Sequence, residues 1–297
     1  MGKSSRAQNA RLAQLRAEQA AAERRQRLMM AGGVVLVVLV IVGALVVSAL
    51  QGNKDVESKG QSSLDQATFA KLTSVPKASL DAVGVGSMLA APQRIDAPAL
   101  TKDGKPRVVY VGAEYCPFCA TQRWPLVVAL SRFGTWNNLA ATYSAPAPEV
   151  NPDTPTVTFH GATYTSQYLS FTGYETQTNK KSNGQFTPLD KLEGDDLQLF
   201  QKYDAPPYVD ARSTGAIPWL TIGGTWMVAG ASYESAPILG KSHADIASAL
   251  ADPTSDIAKG IDGSANAFTA AICKVTDQKP VEVCSSPGVQ AAAATLK

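Results

Sequence analysis

Charge is scarce in this 297-residue chain: 18% of residues are charged, and 27 Lys/Arg against 25 Asp/Glu leave a net +2. That balance gives no case for nucleic-acid binding, which draws on a strongly basic surface. Internal repeats are absent, and so are long low-complexity runs apart from the alanines near the end. Histidine is limited to His160 and His243, and cysteine to Cys116, Cys119, Cys273 and Cys284. A zinc site wants four ligands, and the pair Cys273/Cys284 is too widely spaced for a zinc ribbon, so no metal and no cofactor is expected.

The charge that is present is unevenly placed. Residues 1–27 hold seven Lys/Arg and two acids, while the rest of the chain is slightly acidic. From Leu28 to Leu50 the 23 residues LMMAGGVVLVVLVIVGALVVSAL carry no charge at all. As a helix this stretch measures roughly 34 Å, enough for a hydrocarbon core of about 30 Å. Basic residues on its N-terminal side place 1–27 in the cytoplasm and the main domain outside. A cleaved signal peptide is the alternative, with Val47-Ser48-Ala49 as a weak site, but the apolar run exceeds the usual h-region of about 7–15 residues. Both readings export the domain. The organisation expected is a cytoplasmic basic tail (1–27), a transmembrane helix (28–50), a flexible polar linker (51–64) and an extracytoplasmic domain (65–297), in a cell membrane with the bilayer as partner.

Within the domain, Asp65–Val83 predicts two short elements broken at Pro76, and Asp103-Gly104 a tight turn before a buried strand, Arg107–Gly112. Apolar spacing predicts a helix from Pro117 to about Phe133, kinked at Pro125 and stopped by Gly134. Ala141–Ala145 is a candidate strand, and Pro146–Thr187 has the alternation of added strands. A short helix is expected at Asp195–Tyr203, a hairpin at Ala216–Gly230 around Gly223-Gly224, a helix capped by Ser242 and running to about Asp252, and another within Ser255–Val275. The four tryptophans are expected in packing roles, and His243 on a solvated surface.

Strand, tight turn, Cys116-Pro117-Phe118-Cys119, helix is the informative order. It sets Cys116 at a helix N-terminus, where unpaired N–H groups and the helix dipole stabilise a thiolate. Such a thiolate attacks a disulfide, and Cys119, one turn on, resolves the mixed disulfide. Pro117 suits the first helical position because its missing N–H would be unbonded there. An inert structural disulfide in the Cys-x-x-Cys is the bland alternative. Cys273 and Cys284, eleven residues apart, most simply form a structural disulfide in an oxidising compartment, with an electron relay to the first pair as the rival reading.

Ala113-Glu114-Tyr115-Cys116-Pro117-Phe118-Cys119 resembles the active-site segment of the thioredoxin superfamily, and Gly215-Ala216-Ile217-Pro218-Trp219-Leu220 resembles its cis-proline loop. The resemblance implies an α/β, thioredoxin-like fold with an inserted segment at about 146–210, preceded by the transmembrane helix. It implies a cis bond before Pro218, and Ile217 and Pro218 as the substrate-binding positions where an extended peptide pairs. Glu114 and Tyr115 are candidates for tuning the site. Where thioredoxins carry a buried carboxylate, six residues before the first cysteine, this chain has Tyr110. More narrowly, GAEYCPFCATQRWPLVVALSRFG and the AICK…VC tail are similar to a family known as domain of unknown function 929, found in actinobacteria and archaea.

The expected activity is thiol–disulfide exchange on exported proteins through Cys116 and Cys119, with a membrane redox-recycling partner as a further candidate. A thioredoxin-like binding or assembly module without turnover is the alternative.

Overall fold

The computed structural model describes residues 58–296, so the basic tail, the expected transmembrane segment 28–50 and the first part of the expected linker lie outside the described residues. Among the described residues no helix is long and apolar enough to cross a membrane.

The end of the expected linker is not a free tether. Its strand β1 (Ser62–Ser63) pairs antiparallel with a later strand, the Asn179 amide donates to the Lys59 carbonyl at 2.9 Å, and the Gln61 amide donates to Glu114. These bonds satisfy the polar groups of a segment that composition alone assigns to solvent. Helix α1 (Gln66–Thr73) starts at Asp65, whose carboxylate accepts the Thr68 N–H, and α2 (Lys77–Val83) follows the break at Pro76.

Strands β2 (Gln93–Arg94), β3 (Thr101–Lys102) and β4 (Lys105–Gly112) come next. Asp103 and Gly104, at φ +52° and +72°, make the two-residue turn between β3 and β4, as their sequence predicts. Helix α3 (Pro117–Ser131) runs through Pro125 as one element. Five short strands and two hairpin strands follow: β5 (Gly134–Asn137), β6 (Ala140–Tyr143), β7 (Pro155–Thr158), β8 (Thr163–Ser166), β9 (Ser170–Glu175), β10 (Gln177–Ser182) and β11 (Gln185–Pro188). Helix α4 (Gly194–Tyr203), the hairpin β12 (Trp219–Ile222) and β13 (Trp226–Ala229), and helices α5 (His243–Ala249), α6 (Asp256–Val275), α7 (Val281–Cys284) and α8 (Pro287–Ala293) complete the order.

The result is a mixed α/β architecture. The central sheet runs β2-β13-β12-β4, with β3 on the start of β4 and β9 parallel to β4 from Arg107↔Ser170 to Gly112↔Glu175. Period-two alternation gives its two faces. Val108, Tyr110, Leu220, Ile222 and Val228 enter the larger core with Trp124 and Leu126 of α3 and Ile261 and Phe268 of α6. Val109, Val111, Trp219 and Met227 face the other way, onto Leu199, Phe200 and Tyr203 of α4. Helices thus cover both faces of the sheet.

Within the segment 146–210, β9 is a strand of the central sheet and α4 covers one of its faces. A parallel partner reached through a long crossover leaves no local mark in the sequence. The tryptophans pack as expected, Trp124 and Trp219 without any exposure. His243 does not fit its expected surface position. It is buried, with Nε2 within 2.7 and 3.0 Å of the Thr156 and Thr142 carbonyls and Tyr143 edge-on to its ring. The capping box of Ser242 and Asp245 turns the first residue of α5 onto strands β6 and β7, and burial holds its pKa below the ordinary value.

Cys273 and Cys284 form a disulfide that ties α6 to α7. Closing a loop of this size contributes about 2–3 kcal/mol. Cys273→Ala/Cys284→Ala is therefore expected to lower the unfolding free energy by that amount, read from urea denaturation against the oxidised wild type.

Candidate functional site

Strand β4 ends at Gly112, and the chain turns through Ala113–Tyr115 into α3. The Cys116 N–H donates to the Ala113 carbonyl at 3.2 Å, which closes that turn. Cys116 is the N-cap of α3, with extended backbone (φ −76°, ψ 120°), and its Sγ accepts the Cys119 N–H at 3.2 Å. A sulfur does here what a Ser or Asp oxygen does at an ordinary cap. Pro117 takes the first helical position, as its missing N–H predicts.

Both Cys116 and Cys119 are free thiols. Cys116 is 5% exposed and Cys119 not at all. The two are driven apart chemically. Hydrogen bonding from Cys119 holds the Cys116 pKa below its ordinary value, against burial and with help from the Arg123 charge. Burial pushes Cys119 well above its ordinary value, and the neighbouring Cys116 adds to this. One thiol is poised to ionise and the other to keep its proton, which is the asymmetry that a nucleophile and a resolving thiol need.

The bond Ile217–Pro218 is cis, as the resemblance implies, and the Ile217 carbonyl lies 3.7 Å from Cys116 Sγ. Beside them opens a groove of about 370 Å³ lined by Leu89, Phe118, Ile217, Tyr233 and Glu234. Phe118 and Leu89 are 47% and 61% exposed, large apolar surfaces left uncovered at the mouth of the site.

On the other side, the β10–β11 hairpin closes against the turn. The Glu114 N–H donates to the Gln177 carbonyl at 2.9 Å, and Tyr115 stacks on Phe186 with ring centroids 4.1 Å apart. Lys181 Nζ sits 4.6 Å over the Phe186 ring. Burial and the nearby Cys116 raise the Tyr115 pKa. Glu114 is buried and accepts from Gln61 of the docked linker end. The sequence-derived set Cys116, Cys119, Ile217, Pro218, Glu114 and Tyr115 is thus brought together.

The second cysteine pair is not part of it. Arg132, the C-cap of α3, donates to Ser286 Oγ two residues beyond Cys284, whereas Cys116 caps the opposite end of that helix. At 1.5 Å per residue the two ends are about 24 Å apart, too far for direct thiol exchange. The other residues weighed as zinc ligands are engaged elsewhere, with His160 paired to Asp190 at 2.6 Å and His243 on the backbone of β6 and β7.

One residue at the site escaped the sequence reading. Arg123, fully buried on α3, sets its guanidinium on Glu175 of β9 at 2.5 and 2.8 Å, and donates to the Ala113 carbonyl at 2.7 Å. An arginine four residues after Cys119, directly before the uncharged run Trp124–Leu130, was the available signal. Tyr110, six residues before Cys116, lies beside the two cysteines. It is fully buried, edge-on to Phe159 at 5.0 Å, with no hydrogen-bond partner for its hydroxyl. Burial raises its pKa well above the ordinary value, so it stays neutral.

No curated protein and no solved structure matches the chain. Residues 92–274, from β2 to the penultimate residue of α6, match the sequence model of the family described as Domain of unknown function (DUF929), and the chain belongs to that family.

Proposed function

We propose that this protein is a membrane-tethered, extracytoplasmic thiol–disulfide oxidoreductase of thioredoxin-like fold, acting on exported proteins through Cys116 as nucleophile and Cys119 as resolving thiol. The observation that carries this reading is the Cys116 sulfur itself. It is a free thiol capping α3, bonded by the Cys119 N–H, 3.7 Å from the Ile217 carbonyl and next to an apolar groove. A thiolate there is stabilised by a backbone N–H and the helix dipole, and an extended peptide can lie along the Ile217 backbone. Strand, turn, Cys-x-x-Cys, helix, followed by a cis-proline loop entering the β12–β13 hairpin, is what supports the thioredoxin-like reading. The uncharged stretch 28–50 supports the tether, and a membrane partner would recycle the pair.

Trapping tests the proposal. Cys119→Ala, expressed as the full chain, is expected to accumulate mixed disulfides with exported proteins, which disappear in Cys116→Ala/Cys119→Ala. Cys116 is expected to alkylate with a pKa below the usual value of about 8.5. Absence of adducts together with an ordinary alkylation profile would defeat the enzyme reading. Partners co-purifying equally with both cysteines changed to serine would favour a binding module.

A further inference from the structure

We propose that Arg123 is the positioning residue that lets the fully buried Cys119 resolve a mixed disulfide, its positive charge fixed one helical turn below that cysteine by Glu175. The inference rests on the oxidoreductase reading of the Cys116/Cys119 pair. In the step concerned, a bond forms between the Cys119 and Cys116 sulfurs while the bond from Cys116 to the substrate sulfur breaks. The Cys119 proton leaves and ends on the departing substrate thiolate. Over the full cycle the two protein thiols are oxidised to a disulfide, and the substrate disulfide is reduced by the same two electrons.

The difficulty lies in Cys119. Cys116 caps α3 and is served by a backbone N–H, but Cys119 sits inside the first turn with no exposed surface. A charge developing on its sulfur meets no water, so its stabilisation falls to a fixed cation, with the Ala113 backbone N–H beside it. Residues three and four apart share a helix face, which places Arg123 on the Cys119 side of α3. Its guanidinium cannot swing away. Nε and Nη2 hold the Glu175 carboxylate, and Nη2 also donates to the Ala113 carbonyl, the same oxygen that receives the Cys116 N–H. Nη1 is buried and has no hydrogen-bond partner. The charge is therefore anchored on one side and unspent on the other.

The other ionisable groups around it leave that charge in place. Tyr110, from β4, is kept neutral by burial. Burial, with nearby Glu114, raises the pKa of Glu175 from β9, and Arg123 pulls it the other way. For both cysteines Arg123 acts in the direction of the thiolate.

The experiment uses the reduced full chain in detergent. It reads the Cys116 titration by alkylation, and the release of glutathione by Cys119 from a Cys116–glutathione disulfide formed with oxidised glutathione. Arg123→Met/Glu175→Gln removes both charges and leaves no unpaired ion. It is expected to raise the pKa of each cysteine by about one unit, and so to slow glutathione release about tenfold through the tenfold loss of Cys119 thiolate. Arg123→Lys keeps the charge without the fork and is expected to stay within about threefold of wild type in release. Glu175→Gln alone strips the counter-charge and is expected to lower the Cys116 pKa, a shift opposite in sign that loss of packing would not produce. A folded double variant that titrates and releases like wild type overturns the proposal. If the double variant does not fold, an unchanged or raised titration in Glu175→Gln overturns it. Because glutathione is the probe, the result stands apart from whether Cys119→Ala traps exported proteins.

Discussion

Asp262→Asn is expected to make the protein more stable at pH 8 and to leave it unchanged near pH 4. Asp262 lies in α6 with no exposure, and neither carboxylate oxygen has a hydrogen-bond partner. Burial pushes its pKa up to about 8, with Arg132 pulling only weakly the other way. In the unfolded chain the same group titrates near 3.9. The folded state therefore holds this proton more tightly than the unfolded state does. Its contribution to stability is complete below about pH 4 and is lost as the pH rises through about 8. Each unit in that window costs about 1.4 kcal/mol, a few kcal/mol in all. Asn is a neutral near-isostere of the protonated acid and removes the slope. Urea unfolding of both forms between pH 4 and 9 should show the difference growing across the window and levelling beyond it. A constant difference over that range would mean that the acid is solvated or partnered in the native state.

Much of the fold was legible where the controlling interactions are local. Asp103-Gly104 supply the positive φ of a two-residue hairpin and Gly223-Gly224 that of the three-residue turn between β12 and β13, and both turns are where the sequence puts them. Ser242 caps α5 as its sequence position predicts, and the helix expected within Ser255–Val275 is α6, with Ser255 as its cap. The Cys-x-x-Cys could be assigned to a helix start because its strand, turn and helix are contiguous. What stayed hidden depends on pairing across long separations. The β9 strand alternates plainly, yet nothing local says that it joins the central sheet parallel to β4. The Tyr115–Phe186 stack and the Gln61–Glu114 bond join segments that composition assigns to an insertion and a tether. His243 follows a good cap and looked solvated, because the strands that bury it lie some ninety to a hundred residues earlier.

Arg123→Met alone is expected to cost about 3–5 kcal/mol, a larger loss than either the disulfide or any surface change would give. The pair Arg123–Glu175 is fully buried on both sides, at 2.5 Å between Nη2 and the carboxylate. Removing one member leaves a carboxylate without water or counter-ion, and the Ala113 carbonyl loses a donor at the turn that carries Cys116. Removing both members is a different experiment. Desolvation of two ions largely offsets their attraction, so an apolar or neutral pair of similar volume is often neutral in stability. The double variant Arg123→Met/Glu175→Gln should therefore recover most of the loss, giving a coupling energy of several kcal/mol in a double-mutant cycle read from urea midpoints. Equal losses in the single and double variants would mean that the arginine acts through packing alone. Near-full recovery would mean that the pair adds little net stability, and that the reason for an ion pair beneath two cysteines lies in their chemistry.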